Sequence, residues 1–387
     1  MAIAVVSTIG DNRRMHTFDD IEVSRPELAK SYLGLLAAQP GRPLALFAAR
    51  RVGKTYFLDR DLTPAAQAAG LVAVYADVWL HKAAPLAAIN HALEEALDDI
   101  VIPAGALGRL ARTPVRKVGA LGASLEVGDA PERRPLPGEP ELRFDALAAR
   151  LAARSGKQVL LMLDEIQSLG ELRNGSDVIA SLRAVLQKRR REIAAVFTGS
   201  SQDGLAAMMS AAGGPMYQFA QLIDFPALGV EYLQALAAHF SRVHRGRQLI
   251  VEDLQRVFAE IGFKPALMKD LVKAMSAEGL TDVDLALQRF RHDDRQLAGW
   301  RALLLSVQPF DRAVLLMIAQ GQPPLGRETL ARLAGVQGVK ATVAKVRVSL
   351  DRLRKAGILS KPLAGGYAIE DRLFAGYLSE VELKQVV

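Results

Sequence analysis

Five short, nearly continuous apolar runs, separated by longer helical segments, place the strongest constraint on the fold of this chain. Strands of a parallel sheet covered on both faces bury every residue, so their sequences are apolar throughout instead of alternating. Strands that alternate with helices along a chain form such a sheet, with helices packed on both faces. The sequence therefore predicts an α/β fold. The predicted strands are residues 44–48, 71–78, 158–165, 193–200 and 221–228.

Composition narrows the class of protein. A chain of 387 residues exceeds one average domain, so we expect two or three domains. The absence of cysteine excludes disulfides and thiolate metal sites, and no histidine pair has the spacing of a zinc site. No apolar run is long enough to span a membrane, and the N-terminal residues lack the basic region of a signal peptide. We therefore expect a cytoplasmic protein without a membrane partner.

A Gly-Lys-Thr sequence lies between the first predicted strand and a predicted helix, within LALFAARRVGKTYFLDRDL, residues 44–62. Backbone N–H groups at such a junction bind phosphate, and the helix dipole adds to the attraction. In the general pattern G-x-x-x-x-G-K-[ST], the lysine reaches the β- and γ-phosphates and the hydroxyl ligates Mg²⁺. Alanine at the first glycine position is a small departure. The predicted nucleotide-binding residues are Ala48, Ala49, Arg50, Arg51, Val52, Gly53, Lys54, Thr55 and Tyr56.

An acidic pair ends the third predicted strand, QVLLMLDEIQSL. Asp164 is placed to hold Mg²⁺ together with Thr55, and Lys54 is placed to stabilise charge on the transferred phosphate. Glu165 is placed to polarise the attacking water as a general base. The alternative is that the pair caps the following segment. Because the loop and the acidic pair occur in the required order and strand context, we interpret them together as a site that binds and hydrolyses a nucleoside triphosphate.

Polar residues also end the fourth predicted strand, in VFTGSSQDGL. We expect Thr198 and Ser200 to face the terminal phosphate, with Thr198 helping to position the attacking water and Ser200 contacting the nucleotide. The alternative is a simple turn in which a serine caps the next helix.

The segments ARRVGKT, LLMLDEIQSL, FTGSSQDGL, PMYQFAQLIDFPALG and GYAIEDRLFAGYL together resemble the archaeal-type ATPase family of P-loop NTPases. That family is related to AAA+ initiators of the origin recognition class and to STAND ATPases. The resemblance implies a five-stranded parallel sheet in the order 5-1-4-3-2, a helical lid and a C-terminal winged helix. It also implies ATP as the nucleotide, since the N-K-x-D motif of guanine-binding proteins is missing.

Three domains are accordingly predicted. Residues 1–230 form the ATPase core, with an insertion near residues 102–140 that is rich in glycine, proline and arginine. Residues 231–300 form the helical lid, and residues 301–387 form the winged helix. We expect the insertion to be a surface loop, with a small hairpin as the alternative.

Two features depart from the family pattern. Related proteins commonly carry an arginine finger just before the fifth strand, where this chain has Gln218 and Phe219. Such an arginine contributes roughly 10³-fold or more to phosphoryl transfer, so fast turnover would need a substitute such as Arg50 or Arg51. In the predicted lid, the resemblance places Lys264 at a position where a cation can contact the terminal phosphate. The alternative is that Lys264 is a solvated lysine at the start of a helix.

Positive charge is concentrated in the C-terminal region. Residues 301–387 carry a net charge of +6, and the rest of the chain carries +1. The sequence indicates three helices and a hairpin in this region. Lys345, Arg347 and Arg352 lie on the third helix, where Lys345 and Arg352 are one heptad apart and share a face. A basic helix of this kind suits the major groove of double-stranded DNA.

Two functions therefore remain open. In the first, the nucleotide state of an ATPase controls its engagement of double-stranded DNA. In the second, the protein is a slow nucleotide switch that acts on a protein partner or through self-association, and the winged helix is an interaction module.

Overall fold

A computed structural model describes residues 18, 21–48, 51–81, 83–101, 135–172, 174–199, 204–205, 208–209, 214–334, 341–361 and 366–380. Three predicted site residues, Ala49, Arg50 and Ser200, lie outside the described residues, as does most of the predicted insertion near 102–140. Within the described part of the chain, no helix combines the length and the apolar character needed to cross a membrane.

Five parallel strands form the central sheet in the order β2-β3-β4-β1-β5. Counted from the other edge, this order is 5-1-4-3-2. The predicted α/β fold and strand order are therefore confirmed. The strands are β1 (Leu44–Phe47), β2 (Val72–Asp77), β3 (Val159–Asp164), β4 (Ile193–Gly199) and β5 (Gln221–Asp224).

Helices cover both faces of the sheet, which explains why its central strands are apolar throughout. In β3, Leu160 and Met162 pack into the core on one face, and Leu161 and Leu163 pack into the core on the other. The first face is covered by α1 (Pro26–Ala38), α2 (Lys54–Phe57), a π-helical segment (Leu58–Leu62) and α3 (Thr63–Ala68). The second face is covered by α4 (Pro85–Val101), α5 (Pro140–Ser155) and α6 (Gly175–Lys188).

Strand β5 differs from the predicted apolar run at 221–228. It ends at Asp224, and its residues are alternately half-buried and exposed. It lies at the edge of the sheet and pairs with β1. An edge strand has one neighbouring strand, so the helices that cover the centre of the sheet leave more of it open.

Among the described residues after β5, the regular elements are helices and one short hairpin, and the apolar residues form a continuous core that runs through all nine helices described there. Three helices followed by an antiparallel hairpin were expected near the C-terminus, and the structure has this order. The elements are α7 (Val230–Val243), α8 (Val251–Glu260), α9 (Pro265–Glu278), α10 (Val283–Arg291), α11 (Asp294–Ser306), α12 (Pro309–Ala319), α13 (Arg327–Ala334), α14 (Val343–Lys355), β6 (Leu359–Ser360), β7 (Ala368–Ile369) and α15 (Arg372–Glu380).

Helix α14 is attached to the start of α12 by two of its cations. Arg352 Nε lies 2.9 Å from Oδ2 of Asp311, whose side chain is almost completely buried, and Arg352 Nη1 donates to Gln308 Oε1 at 2.6 Å. Lys345 Nζ lies 4.5 Å from the centre of the Phe310 ring, a cation–π contact. Two of the three cations that the sequence assigned to DNA therefore contribute to packing within this region.

We predict that Arg352→Ala lowers the free energy of unfolding by about 1–3 kcal/mol, because the buried Asp311 carboxylate loses its charged donor. Arg347→Ala is the matched control, since Arg347 is exposed on the same helix. That substitution should change stability by less than about 0.5 kcal/mol. Denaturant unfolding of the full chain measures both, and equal effects would show that the ion pair does not stabilise the protein.

Candidate functional site

The predicted phosphate loop connects β1 to α2 through residues in unusual backbone conformations. Gly53, which precedes the first residue of α2, has φ 94°, and Arg51 has φ 65°. A Cβ at Gly53 would meet no atom within 4 Å, so glycine is favoured there by its backbone conformation and not by lack of space. A non-glycine residue at positive φ, such as Arg51, stores strain of about 1–3 kcal/mol, and such residues cluster at ligand-binding loops.

Lys54 is folded back across this loop. Its ammonium group is largely buried, and Nζ donates to the carbonyl oxygen of Ala48 at 2.8 Å. A buried lysine needs such a partner because desolvation of its charge is costly. The side chain also lines the cleft described below, so its charge is available at the floor of that cleft.

Asp164 lies at the C-terminal end of β3 and is buried. Its Oδ2 accepts hydrogen bonds from Thr55 Oγ1 at 2.7 Å and from Tyr75 Oη at 3.1 Å. Its Oδ1 accepts from the backbone N–H of Glu165 at 3.0 Å and from Thr198 Oγ1. Four hydrogen bonds use all the lone-pair positions of a carboxylate. The phenol pKa of Tyr75 is raised by burial and by the negative charge of Asp164.

Glu165 follows directly and turns the chain out of the strand, with φ 58°. Its carboxylate accepts a hydrogen bond from Gln167 Nε2 and lines the cleft. Gln167 in turn lies close to Gly199 at the end of β4, where a Cβ would approach Gln167 Oε1 to 2.5 Å. A larger residue at 199 would therefore displace the amide that orients Glu165.

These residues surround one end of a cleft of about 750 Å³ that lies between the sheet and helix α9. Most of the rest of the lining comes from the chain segment before α1 and from the chain after β5, and it combines apolar side chains with four charged ones, Glu22, Arg25, Lys269 and Asp270. Tyr232 Oη donates to the carbonyl of Pro265 at 2.7 Å and fixes the start of α9 there. The lining residues are Ile21, Glu22, Val23, Arg25, Arg51, Gly53, Lys54, Thr55, Tyr56, Trp79, Glu165, Leu228, Tyr232, Pro265, Ala266, Lys269 and Asp270.

The segment before α1 is held in the cleft wall by the buried Asp61 of the π-helical segment. Asp61 Oδ1 accepts from Ser24 Oγ at 2.5 Å and from the backbone N–H of Arg25 at 2.8 Å. The guanidinium of Arg25 lies over the rings of Phe57 and Phe225, at 5.3 and 4.3 Å from their centres. Burial lowers the pKa of Arg25, and the charge of Asp61 opposes that shift.

A hydroxyl and a carboxylate at the floor of the cleft fit a magnesium ion. Mg²⁺ prefers oxygen ligands and is usually held by one or two protein groups, waters and substrate phosphates. Thr55 and Asp164 supply oxygen atoms 2.7 Å apart beside Lys54. In the described parts of the chain, no group of three or more His, Asp or Glu side chains could hold a metal by itself.

Most of the predicted residues that the structure describes meet at this cleft. Arg51, Gly53, Lys54, Thr55, Tyr56 and Glu165 line it, and Asp164 lies beneath Thr55. Of the two arginines that could replace an arginine finger, Arg51 therefore reaches the cleft. Ala48 and Val52 are buried on the opposite side of the loop, where they line a second cavity.

Thr198 and Lys264 are also absent from the cleft surface. Thr198 is completely buried, donates to Asp164 and does not line the cleft, and its predicted role in positioning the attacking water stays a prediction. Lys264 directly precedes the first residue of α9, and its Nζ donates to the carbonyl of Glu370 at 3.0 Å. It lines the second cavity, while Lys269, five residues further along the chain, lines the cleft.

The sequence did not single out Tyr75, Asp61 or Gln167. Tyr75 could have been selected from the sequence, since it lies near the C-terminal end of β2, the strand that neighbours β3. Asp61 and Gln167 lie inside helical segments and act through tertiary contacts, for which the sequence gives no pattern.

No protein-family model matches this sequence, and no curated protein matches it significantly. Solved structures do match. The Walker-type ATPase of Pyrococcus abyssi superposes with a TM-score of 0.58 at 16% identity, over 95% of this chain and 99% of that one. The ORC2 protein of Aeropyrum pernix, in its ADPNP–ADP complexes, superposes with a TM-score of 0.51 at 16% identity, over 93% of this chain and 92% of that one.

The chain has the fold of a P-loop ATPase. Both structures span nearly the whole chain, so the likeness includes the helical region after the sheet as well as the sheet itself. The resemblance to archaeal-type ATPases drawn from the sequence is thus supported at the level of the fold.

Proposed function

We propose that this protein binds ATP with Mg²⁺ in the 750 Å³ cleft and hydrolyses it slowly. The observation that carries the proposal is the convergence of Lys54, Thr55, Asp164 and Glu165 at one end of that cleft. The loop, the carboxylate and the acidic neighbour come from two different strands, so their meeting is a property of the fold and not of one local motif.

Each of these residues has a distinct task in the proposed reaction. Lys54 exchanges the Ala48 carbonyl for phosphate oxygens, and Thr55 and Asp164 hold the metal. Bound Mg²⁺ neutralises charge on the phosphates during transfer. Glu165, oriented by Gln167, accepts the hydrogen bond of the attacking water and removes its proton.

The apolar residues of the cleft lining suit a nucleoside base. Val23, Leu228 and Ala266 offer apolar surface, and Tyr232 has its hydroxyl occupied by the Pro265 carbonyl. The structural neighbour from Aeropyrum pernix was solved with ADPNP and ADP. We infer adenine as the base, in agreement with the missing guanine motif. The helices from about residue 231 to 300 then act as the lid over the ATPase core of residues 1–230.

We predict that Lys54→Ala abolishes ATP binding, because the phosphates lose the cation at the floor of the cleft. Binding of a fluorescent ATP analogue measures this. Lys30→Ala is a suitable control, since Lys30 is an exposed lysine on α1 paired with Glu27. Unchanged affinity in Lys54→Ala would contradict the placement of the phosphates.

Glu165→Gln should leave ATP bound and slow its hydrolysis by about 10²-fold or more, because an amide cannot take the proton of the attacking water. Single-turnover hydrolysis separates this chemical step from binding. A wild-type rate in Glu165→Gln would show that Glu165 only shapes the cleft.

The nucleotide state is proposed to control binding of a partner, and the exposed side chains of α14 are the candidate contacts with that partner. With Lys345 and Arg352 engaged by α12, the outward-facing charges of this helix include Arg347, Asp351 and Lys355. Val348 between them has 59% of its surface exposed. We propose double-stranded DNA as the partner because of the net charge of +6 in residues 301–387. The second candidate is a protein partner of a signalling switch, with this region as an interaction module.

The DNA proposal predicts binding that weakens steeply with salt, since each neutralised phosphate releases a counterion. Arg347→Glu with Lys355→Glu should reduce duplex affinity and lower the salt slope by up to about one unit for each lost phosphate contact. ATP affinity should not change. Arg352 is kept in this variant, because its loss would unpair the buried Asp311. Absence of duplex binding by the intact protein at low salt would favour the protein partner.

A further inference from the structure

Tyr75 donates a hydrogen bond to Asp164 from β2, which contains neither the phosphate loop nor the acidic pair. Its strand, β2, is the edge strand beside β3, and the residue is 37% exposed. We propose that the Tyr75 hydroxyl occupies the lone pair of Asp164 Oδ2 to which a metal-bound water donates, so that Tyr75 is displaced when Mg²⁺ and nucleotide bind. This inference rests on the proposed function and adds a positioning residue that controls metal loading.

The first step is to identify which oxygen of Asp164 can face the metal. Oδ1 accepts from the side chain of Thr198 and from the backbone N–H of Glu165. Thr198 is completely buried, and a backbone N–H at the end of a strand cannot turn away. Both donors are fixed, so Oδ1 is committed to the protein. Oδ2 points to Thr55 and is the oxygen on the metal side.

The second step is to ask which donor on Oδ2 can leave. The Thr55 hydroxyl can ligate a metal through its oxygen while its proton still donates to Asp164, so this contact at 2.7 Å is compatible with Mg²⁺. Tyr75 donates to the same oxygen over a longer distance, 3.1 Å. Its ring is partly exposed at the edge of the sheet, where it can move without opening a core. Tyr75 is therefore the replaceable donor.

Because the Tyr75 hydroxyl and a metal-bound water compete for Asp164 Oδ2, the hydroxyl should lower the affinity for Mg²⁺. In the metal-free protein, the Tyr75 hydroxyl satisfies a buried carboxylate oxygen, and this bond must break before a metal-bound water can donate there. Phenylalanine retains the ring and removes the donor. Tyr75→Phe should therefore bind Mg²⁺ about two- to tenfold more tightly than the wild type. This range is the change in affinity that corresponds to the net free energy of one hydrogen bond.

The experiment compares the wild type, Tyr75→Phe and Tyr217→Phe. Tyr217 is a matched control, because it is 39% exposed and does not line the cleft. Mg²⁺ is titrated into each protein at a fixed concentration of a fluorescent non-hydrolysable ATP analogue, and the half-saturating Mg²⁺ concentration is read from anisotropy. The Mg²⁺–analogue equilibrium in solution is common to all three proteins. The affinity for the same analogue in EDTA is measured in parallel.

The expected result is a lower half-saturating Mg²⁺ concentration for Tyr75→Phe, with its affinity in EDTA and both values for Tyr217→Phe unchanged. A higher Mg²⁺ requirement would show that Tyr75 supports the metal instead of competing with it, and would overturn the proposal. Equal Mg²⁺ requirements, or an equal change in EDTA, would also overturn it. Failure of the wild type to bind the analogue in either condition would instead contradict the proposed function itself.

Discussion

The arrangement of the cleft depends on the hydrogen bonds that the buried carboxylate of Asp164 accepts. A charged group without partners is too costly to bury, so Asp164 requires donors from its surroundings. They come from β2 through Tyr75, from β4 through Thr198 and from the phosphate loop after β1 through Thr55. The order β2-β3-β4-β1 is what brings these donors to one point. The candidate site therefore depends on the topology of the sheet.

The fold could be predicted from the sequence because the sheet is covered on both faces. Burial on both sides makes a strand such as β3 apolar at every position, and that pattern is visible without a structure. The same rule gave the wrong extent for β5, which ends at Asp224 and is only partly covered. A pattern based on burial predicts the centre of a sheet better than its edge.

The candidate site could be predicted to the extent that its residues lie at strand ends and in the loop. Lys54, Thr55 and Glu165 reach the cleft because parallel strands deliver their C-terminal ends to one edge of the sheet. Position in sequence did not reveal the direction of a side chain. Thr198 lies at the expected strand end but points to Asp164, and Lys264 begins the expected helix but points to Glu370. Both directions are decided by packing between elements that are distant in the chain.

The contact of Lys264 also shows how the cleft could be connected to the C-terminal region. Lys264 Nζ donates to Glu370 O, and Arg372 Nη1 donates to Ala259 O at 2.8 Å, so the chain that connects the hairpin to α15 is attached to α8 and to the start of α9. The cavity of about 290 Å³ beside this contact is lined by the hairpin and by Ala48. Ala48 is also the residue whose carbonyl accepts the Lys54 ammonium. In the proposed cycle, phosphate withdraws Lys54 from that carbonyl, so the loop loses a hydrogen bond on the side that faces the hairpin. The loop therefore contributes both to the cleft and to the cavity beside the hairpin.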